Sequence, residues 1–252
     1  MSTATMGEMA ADLRALGVRS GGVLMVHSSL RALRPLPGGA ESVIVGLLEV
    51  LGAGGTLLMP ALSYETVRSA NPIFDVRATP SCVGALPEYF RTRPSTRRSV
   101  HPTHSVCGLG PRTAEMLSDH ERSTTPVGPF SPFRRLRDVG GQVLFLGCGL
   151  RPNTSMHGVE ELVEPPYLYA DELDYQVVLE DGTQRTMRLR RHNFLGWEQR
   201  YDRLGPLMQA EGLRVGLVLA ATAHLVEAAL MWEVAYAALC RAPLYFVDKT
   251  DT

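Results

Sequence analysis

Several absences narrow this chain before anything present in it does. Its four cysteines (Cys82, Cys107, Cys148, Cys240) lie far apart, with no C-x-x-C pair. That spacing argues against zinc or a disulfide framework, and it suits a reducing cytoplasm. No apolar run approaches the ~18–20 residues of a membrane span. The longest candidate, 215–239, is interrupted by His224, Glu227 and Glu233. The first residues, Met1 to Met6, lack the basic-then-apolar layout of a secretory leader, so a cytoplasmic location is expected. Charge of neither sign is in excess: 25 Lys and Arg stand against 26 Asp and Glu. A near-neutral balance gives no electrostatic footprint for nucleic acid. A P-loop, a G-x-G-x-x-G fingerprint and a G-x-S-x-G nucleophile elbow near Ser28 or Ser29 are all missing.

What is present reads as a globular α/β protein. With 45% hydrophobic and 20% charged residues in 252 positions, the chain can bury an ample core. Apolar spacing predicts a helix over 6–16 stopped by Gly17, a buried strand over 22–27, a helix over 41–51 and a second buried strand over 56–59. That alternation is the βαβ pattern of a parallel sheet. Residues 61–80 read as a long loop, followed by a short helix over 83–92, an extended segment over 97–107 and a helix over about 112–119. Ser131-Pro132 opens a further helix, and Gln142 to Gly147 is a buried strand. Segments 174–179 and 185–189 alternate around Glu180-Asp181-Gly182-Thr183, a hairpin signature. An amphipathic helix over 193–211, a strand over 213–219, a long helix over 223–239 and a last strand over 244–247 complete the reading. The expected fold is a three-layer α/β/α sandwich with a mixed, largely parallel central sheet and an inserted β-hairpin in the C-terminal third. One domain over 1–252 is the simplest organisation. The long helix is apolar on more than one face (Leu225, Val226, Ala228, Leu230, Trp232), which fits deep burial, or alternatively the surface of a homodimer.

Three stretches would lie at the carboxyl ends of strands, where open α/β folds place ligands. Val26-His27-Ser28-Ser29-Leu30 puts small hydroxyl residues after a buried strand. Its backbone N–H groups and two side-chain donors could face an anion such as a pyrophosphate, with Arg31 and Arg34 adding charge. The same serines could equally be turn caps. In the 97–105 segment Arg97 and Arg98 could serve a phosphate, and His101 or His104 could be catalytic or structural. The third stretch is Asn153-Thr154-Ser155-Met156-His157-Gly158-Val159-Glu160-Glu161, with Asn153 or Thr154 as helix N-cap. His157 and Glu160, three apart, share a helix face, and a carboxylate beside an imidazole fixes its tautomer as a general base requires. Such a pair is also common as surface decoration. Downstream lies an acidic run of Glu161, Glu164, Asp171, Glu172 and Asp174, which near a site would favour a cationic substrate.

In order along the chain, H-S-S-L-R at 27–31, L-M-P at 58–60, F-D-V-R-A-T-P-S at 74–81, R-S-V-H-P-T-H-S at 98–105, S-P-F at 131–133 and N-T-S-M-H-G-V-E at 153–160 resemble the aminoglycoside 3-N-acetyltransferase family, antibiotic N-acetyltransferases distinct from the GNAT superfamily. The resemblance implies an antibiotic-resistance acyltransferase that moves an acetyl group from acetyl-CoA, its cosubstrate, to an amine of an aminoglycoside, without a metal. It implies His157 as base, Glu160 as the group that orients it and Thr154 as a hydrogen-bonder at the reacting carbonyl. His27, Ser28, Ser29, Leu30 and Arg31 then receive the CoA pyrophosphate, and Ser105 and Val106 wall the CoA cleft. Glu65 and Asp75 become substrate contacts, with Glu161 from the acidic run. Partners are then CoA and a small amine, with no nucleic acid or membrane. The chain departs from the family pattern at Arg151-Pro152, at 124–130, which carries no acid, and at the basic cluster Arg185, Arg188, Arg190 and Arg191. Those departures open a second reading, a biosynthetic N-acyltransferase for a different small amine. A CoA-binding protein without transfer activity is a third, and the intact His157/Glu160 pair weighs against it.

Overall fold

A computed structural model describes residues 5–33, 35–208 and 212–250; Arg34, a candidate charge on the anion loop, and residues 209–211 of the expected helix lie outside them. Helix α1 (Met6–Leu16) starts on a capping box, Thr5 with Glu8, and stops at Gly17 in the left-handed conformation. Strand β1 (Val23–Ser28), helix α2 (Ala40–Leu51) and strand β2 (Thr56–Pro60) form the expected βαβ unit. The chain continues through β3 (Ile73–Asp75), α3 (Ala85–Thr92), β4 (Arg97–Arg98), β5 (Val106–Leu109), α4 (Thr113–Leu117), α5 (Pro132–Asp138), β6 (Gln142–Leu146) and α6 (Ser155–Val163). Then come β7 (Tyr169–Val178), β8 (Gln184–His192), β9 (Trp197–Gln199), α7 (Leu204–Met208), β10 (Leu213–Val218), β11 (Ala221–Glu227), α8 (Ala228–Arg241) and β12 (Val247–Lys249).

The central sheet has seven strands in the order β10-β11-β6-β1-β2-β5-β4. Its middle, β6-β1-β2, is parallel, and the outer pairings are antiparallel. Two successive reversals on each flank leave only β11 and β5 running against the rest. The mixed, largely parallel sheet expected from the sequence is therefore present. Alternation along each strand feeds two cores. Leu24, Val26, Leu57, Met59, Leu144 and Leu146 face α1, α2 and α3. Val23, Met25, Leu58, Val143 and Phe145 face the layer that holds α4 to α8. This is the three-layer sandwich. The hairpin β7–β8 is longer than the sequence suggested and joins β3 in a separate three-stranded sheet.

Three expectations fail locally. The helix over 193–211 is instead strand β9, a 3-10 turn at Tyr201–Arg203 and the short α7, because Gly196 turns the chain at φ 79° and β9 pairs with β12. The helix over 223–239 starts only at Ala228. Its first residues form β11, whose Leu225 and Val226 point to opposite cores. A short apolar run fits either period, and here the sheet wins. The last strand lies at 247–249, not 244–247, because Tyr245 closes a turn onto Ala242. Helix α8 buries one face through Met231, Trp232, Ala235 and Leu239. No helix among the described residues is long and apolar enough to cross a membrane.

Candidate active site

A cavity of about 540 Å³ opens at the carboxyl ends of β1 and β2. Gly147, at φ 73°, turns the chain away from β6 directly over the 3-10 turn Leu30–Ala32, where any Cβ would press on Ala32. That close approach sets the 27–31 loop beside the segment leading into α6. Helix α6 is seated equally tightly. A Cβ at Gly158 would collide with the Trp232 ring of α8 and with Val127, so the helix carrying His157 is positioned from behind.

His157 lines the cavity, and its Nδ1 faces Glu160 Oε2 at 3.1 Å and the Tyr201 hydroxyl at 3.0 Å. Glu160 is fully buried and accepts hydrogen bonds from Tyr167 (2.8 Å) and Tyr201 (2.8 Å). Burial, then the Glu160 charge, pushes the Tyr201 phenol well above its ordinary pKa, and both phenols remain donors. A carboxylate held by two donors keeps the proton of His157 on Nδ1, which leaves Nε2 as the lone-pair nitrogen. The surface-decoration reading of the pair fails here, because this carboxylate is sealed in the core.

Two further histidines stand against that ring. His104 and His192 have ring centroids 5.7 and 5.0 Å from His157, and 5.5 Å from each other. His192 Nε2 meets Glu161 Oε1 at 2.9 Å, and its Nδ1 is buried without a hydrogen-bond partner among the described residues. Burial lowers the pKa of His192, and burial plus the neighbouring imidazoles lowers that of His104 further. His101 also lines the cavity; its Nδ1 accepts the backbone N–H of Thr103 and of His104, and its ring stacks on His120 at 4.8 Å. Burial brings its pKa down to about 4.

On the loop after β1, His27 stacks on Phe145 at 5.2 Å, and burial, with His157 nearby, lowers its pKa to about 3. His27 and Ser28 line the cavity, and the Ser28 hydroxyl has no hydrogen-bond partner among the described residues. Ser29, Leu30 and Arg31 continue into the 3-10 turn beyond the lining, with Arg31 exposed. Thr154 and Asn153 line the cavity, and Thr154 is the N-cap residue of α6. The Thr154 side chain makes no cap bond, and the Asn153 amide turns to Met231 Sδ.

Several sequence-predicted residues are placed elsewhere. Ser105 and Val106 are fully buried away from the cavity, and the Ser105 hydroxyl is engaged by Ala61 O and Arg98 Nε. Arg98 is buried over Phe74 and spends its guanidinium on Val76, Thr79 and Ala61 carbonyls, so it holds no phosphate; Arg97 is exposed outside the lining. The Asp75 carboxylate accepts the Arg77 and Ala78 N–H groups as a loop anchor. Glu161 is buried, takes hydrogen bonds from Thr125, Val127 N–H and His192, and lies behind His192 rather than on the cavity lining. Burial raises its pKa, but those bonds bring the net value below the ordinary one. Glu65 is exposed beside the lining residue Tyr64. Two acids of the run pair with hairpin arginines, Glu172 with Arg188 and Glu164 with Arg190. The charged lining is instead Arg68, Arg151, Arg190 and Arg191, with no carboxylate among the described lining residues. Arg151 pairs with Glu198, and Arg190 lies over the Tyr169 ring at 3.7 Å.

Residues 25–239 match the family model described as aminoglycoside 3-N-acetyltransferase. The chain belongs to that family of N-acetyltransferases. It is similar to aminoglycoside N(3)-acetyltransferase VII of Streptomyces paromomycinus, 33% identical over 89% of this chain and 87% of that one. With aminoglycoside N(3)-acetyltransferase IV of a Salmonella species the identity is 38%, over 64% of this chain and 60% of that enzyme's length. Among solved structures, apo aminoglycoside acetyltransferase AAC(3)-IVa superposes with a TM-score of 0.82 at 30% identity, covering 98% of this chain and 92% of that one. AAC-IIIb in a binary complex with CoASH gives 0.83 at 28% identity, covering 95% and 97%. Within the family frame, sequence reasoning missed Tyr167, Tyr201, His192 and Phe194. Tyr167 follows two prolines, His192 ends the hairpin, and Phe194 and Tyr201 fall where a helix was expected.

Proposed function

We propose that the chain transfers the acetyl group of acetyl-CoA directly to an amine, with His157 as general base. The observation that carries this is the His157–Glu160–Tyr201–Tyr167 network at the cavity wall. An amine attacks a thioester only as the free base. His157 Nε2 takes the proton that the nitrogen sheds as it bonds to the carbonyl carbon, and Glu160 stabilises the imidazolium. The tetrahedral oxyanion is stabilised by the Thr154 hydroxyl. When it collapses, the C–S bond breaks and the imidazolium proton passes to the CoA sulfur. Acid–base assistance of this kind contributes about 10²–10⁴-fold, and positioning the amine against the thioester contributes as much or more. His27, Ser28 and the 29–31 turn hold the pyrophosphate end of CoA, supported by the unpartnered Ser28 hydroxyl at the cavity.

The acceptor supported by the family and by the relatives' names is an aminoglycoside amine. One observation favours a second reading. Among the described residues, four arginines and no carboxylate line the cavity, and a polycation gains nothing from such a wall. A smaller amine bearing a carboxylate or phosphate would pair with Arg68, Arg190 or Arg191. Thiol release from acetyl-CoA, measured with an aminoglycoside panel beside amino acids and amino-sugar phosphates, decides between them. Release with no acceptor of either kind would sink the transfer reading itself.

A further inference from the structure

We propose that His104, His157 and His192 form a binding site for a divalent cation of the zinc class, and that its occupancy silences acetyl transfer. One ring nitrogen of each lies within 4.8 Å of the others. The three come from unrelated pieces of chain: the turn between β4 and β5, helix α6 and the end of β8. In each ring the other nitrogen is already taken, His104 Nδ1 by Thr103 Oγ1 (2.9 Å), His157 Nδ1 by Glu160 and His192 Nε2 by Glu161. A ligating histidine whose remote nitrogen is held by a carboxylate or hydroxyl is the usual outer arrangement of a metal site, because it fixes the tautomer and raises the basicity of the free nitrogen. The free nitrogens are then Nε2 of His104, Nε2 of His157 and Nδ1 of His192. The last is buried with no hydrogen-bond partner among the described residues, so its lone pair is otherwise unused. Two buried carboxylates, Glu160 and Glu161, stand behind the rings and favour a positive charge in front of them.

Three imidazoles without carboxylate or thiolate select zinc, copper or nickel over magnesium and calcium. Zinc accepts three histidines with the fourth position left open, at about 2.0–2.1 Å per bond. Tetrahedral geometry at that bond length needs nitrogens about 3.3 Å apart, so a bound ion would draw the rings together from their present separation of up to 4.8 Å. All three histidines line the cavity. The consequence for the reaction rests on the reading of His157 as base: a cation on Nε2 occupies the lone pair that must take the amine proton.

The test begins without substrate. Full-length protein stripped with a chelator is titrated with zinc chloride against a chromophoric zinc indicator, with magnesium chloride as the comparison. One zinc per chain is expected, and no magnesium. His104→Asn and His192→Gln should each weaken zinc by at least the ~10–100-fold typical of losing outer support, and Glu161→Gln should fall in that range. Thermal melting checks that the variants fold. Absence of stoichiometric zinc, or zinc binding unchanged in every folded variant, overturns the site. Acetyl transfer by metal-free protein should then fall in proportion to occupancy; zinc that binds without slowing transfer, or that speeds it, overturns the silencing. The base reading fails separately, if metal-free His157→Ala turns over like the parent.

Discussion

The two walls of the cavity are built on opposite principles. The wall backed by α6 is made of two histidines, His157 of α6 and His192 at the end of β8, whose partners lie in the core: Glu160 behind His157 and Glu161 behind His192, both carboxylates buried and each held by several donors. The other wall, with Arg190 and Arg191 from β8, is made of arginines whose partners lie at the surface: Glu164 by Arg190 and Glu198 by Arg151 are both exposed. Exposed ion pairs contribute about 0–1 kcal/mol and exchange partners readily. Stripping a buried carboxylate of its donors costs far more. One wall is therefore fixed in composition and proton placement, and the other is free to trade its partner for a ligand. On the function proposed above, the reaction belongs to the first wall and the choice of acceptor to the second.

The largest effect that tests this division is His157→Ala, which should lower turnover by about 10²–10⁴-fold, with the acceptor KM little changed, in a thiol-release assay. A comparable fall in affinity instead would place His157 in binding. Acidity should weaken the histidine side in a defined direction. His27, His101, His104, His120 and His192 have depressed folded-state pKa values, down to about 3 for His27 and about 4 for His101, chiefly through burial. Each stays neutral when folded and takes a proton when unfolded. Their contribution is complete above the unfolded value near 6.5 and is lost as pH falls toward the folded values. The slope is up to about 1.4 kcal/mol per pH unit for each histidine. Thermal melts between pH 7.5 and 5 should show falling stability, and a flat profile would contradict these neutral buried rings.

A smaller effect should follow Tyr201→Phe. Losing one donor to a buried carboxylate costs about 1–3 kcal/mol, visible as a lower melting temperature and a reduced kcat. The smallest change is on the arginine wall. Arg190→Gln should leave kcat intact and raise KM several-fold for a carboxylate- or phosphate-bearing amine. For an aminoglycoside KM should fall or stay level. Steady-state kinetics with both acceptor types reads this directly, and a collapse of kcat would merge the two walls into one.

The same contrast explains what the sequence disclosed. The parallel centre was legible because β1, β2 and β6 are continuous apolar runs buried on both faces. The α6 motif was legible because His157 and Glu160 are neighbours on one helix. The β10–β11 hairpin was not. Its turn residues, Leu219 and Ala220, take φ of 49° and 68° without the Asn-Gly or Asp-Gly that usually marks such a turn. Burial of Leu219 and the bond from its N–H to Asp12 hold that conformation, and neither is a local signal. Positions 104, 157 and 192 are too far apart to form a spaced motif, so three converging imidazoles exist only in the fold. Glu65, Asp75 and Glu161 looked alike as acids. Only tertiary structure separates a surface residue, a loop anchor and a buried support for His192.

Hairpin β7–β8 packs on its own small cluster of Phe74, Tyr175, Val177, Met187 and Leu189, apart from the two cores that flank the main sheet. Arg190 and Arg191 can therefore be rewritten without reopening the core in which Gly158 seats α6 against Trp232, provided that Leu189 and His192 on either side of them are kept. For enzyme engineering on the proposed reading, that makes acceptor range the cheaper property to alter and proton transfer the more expensive.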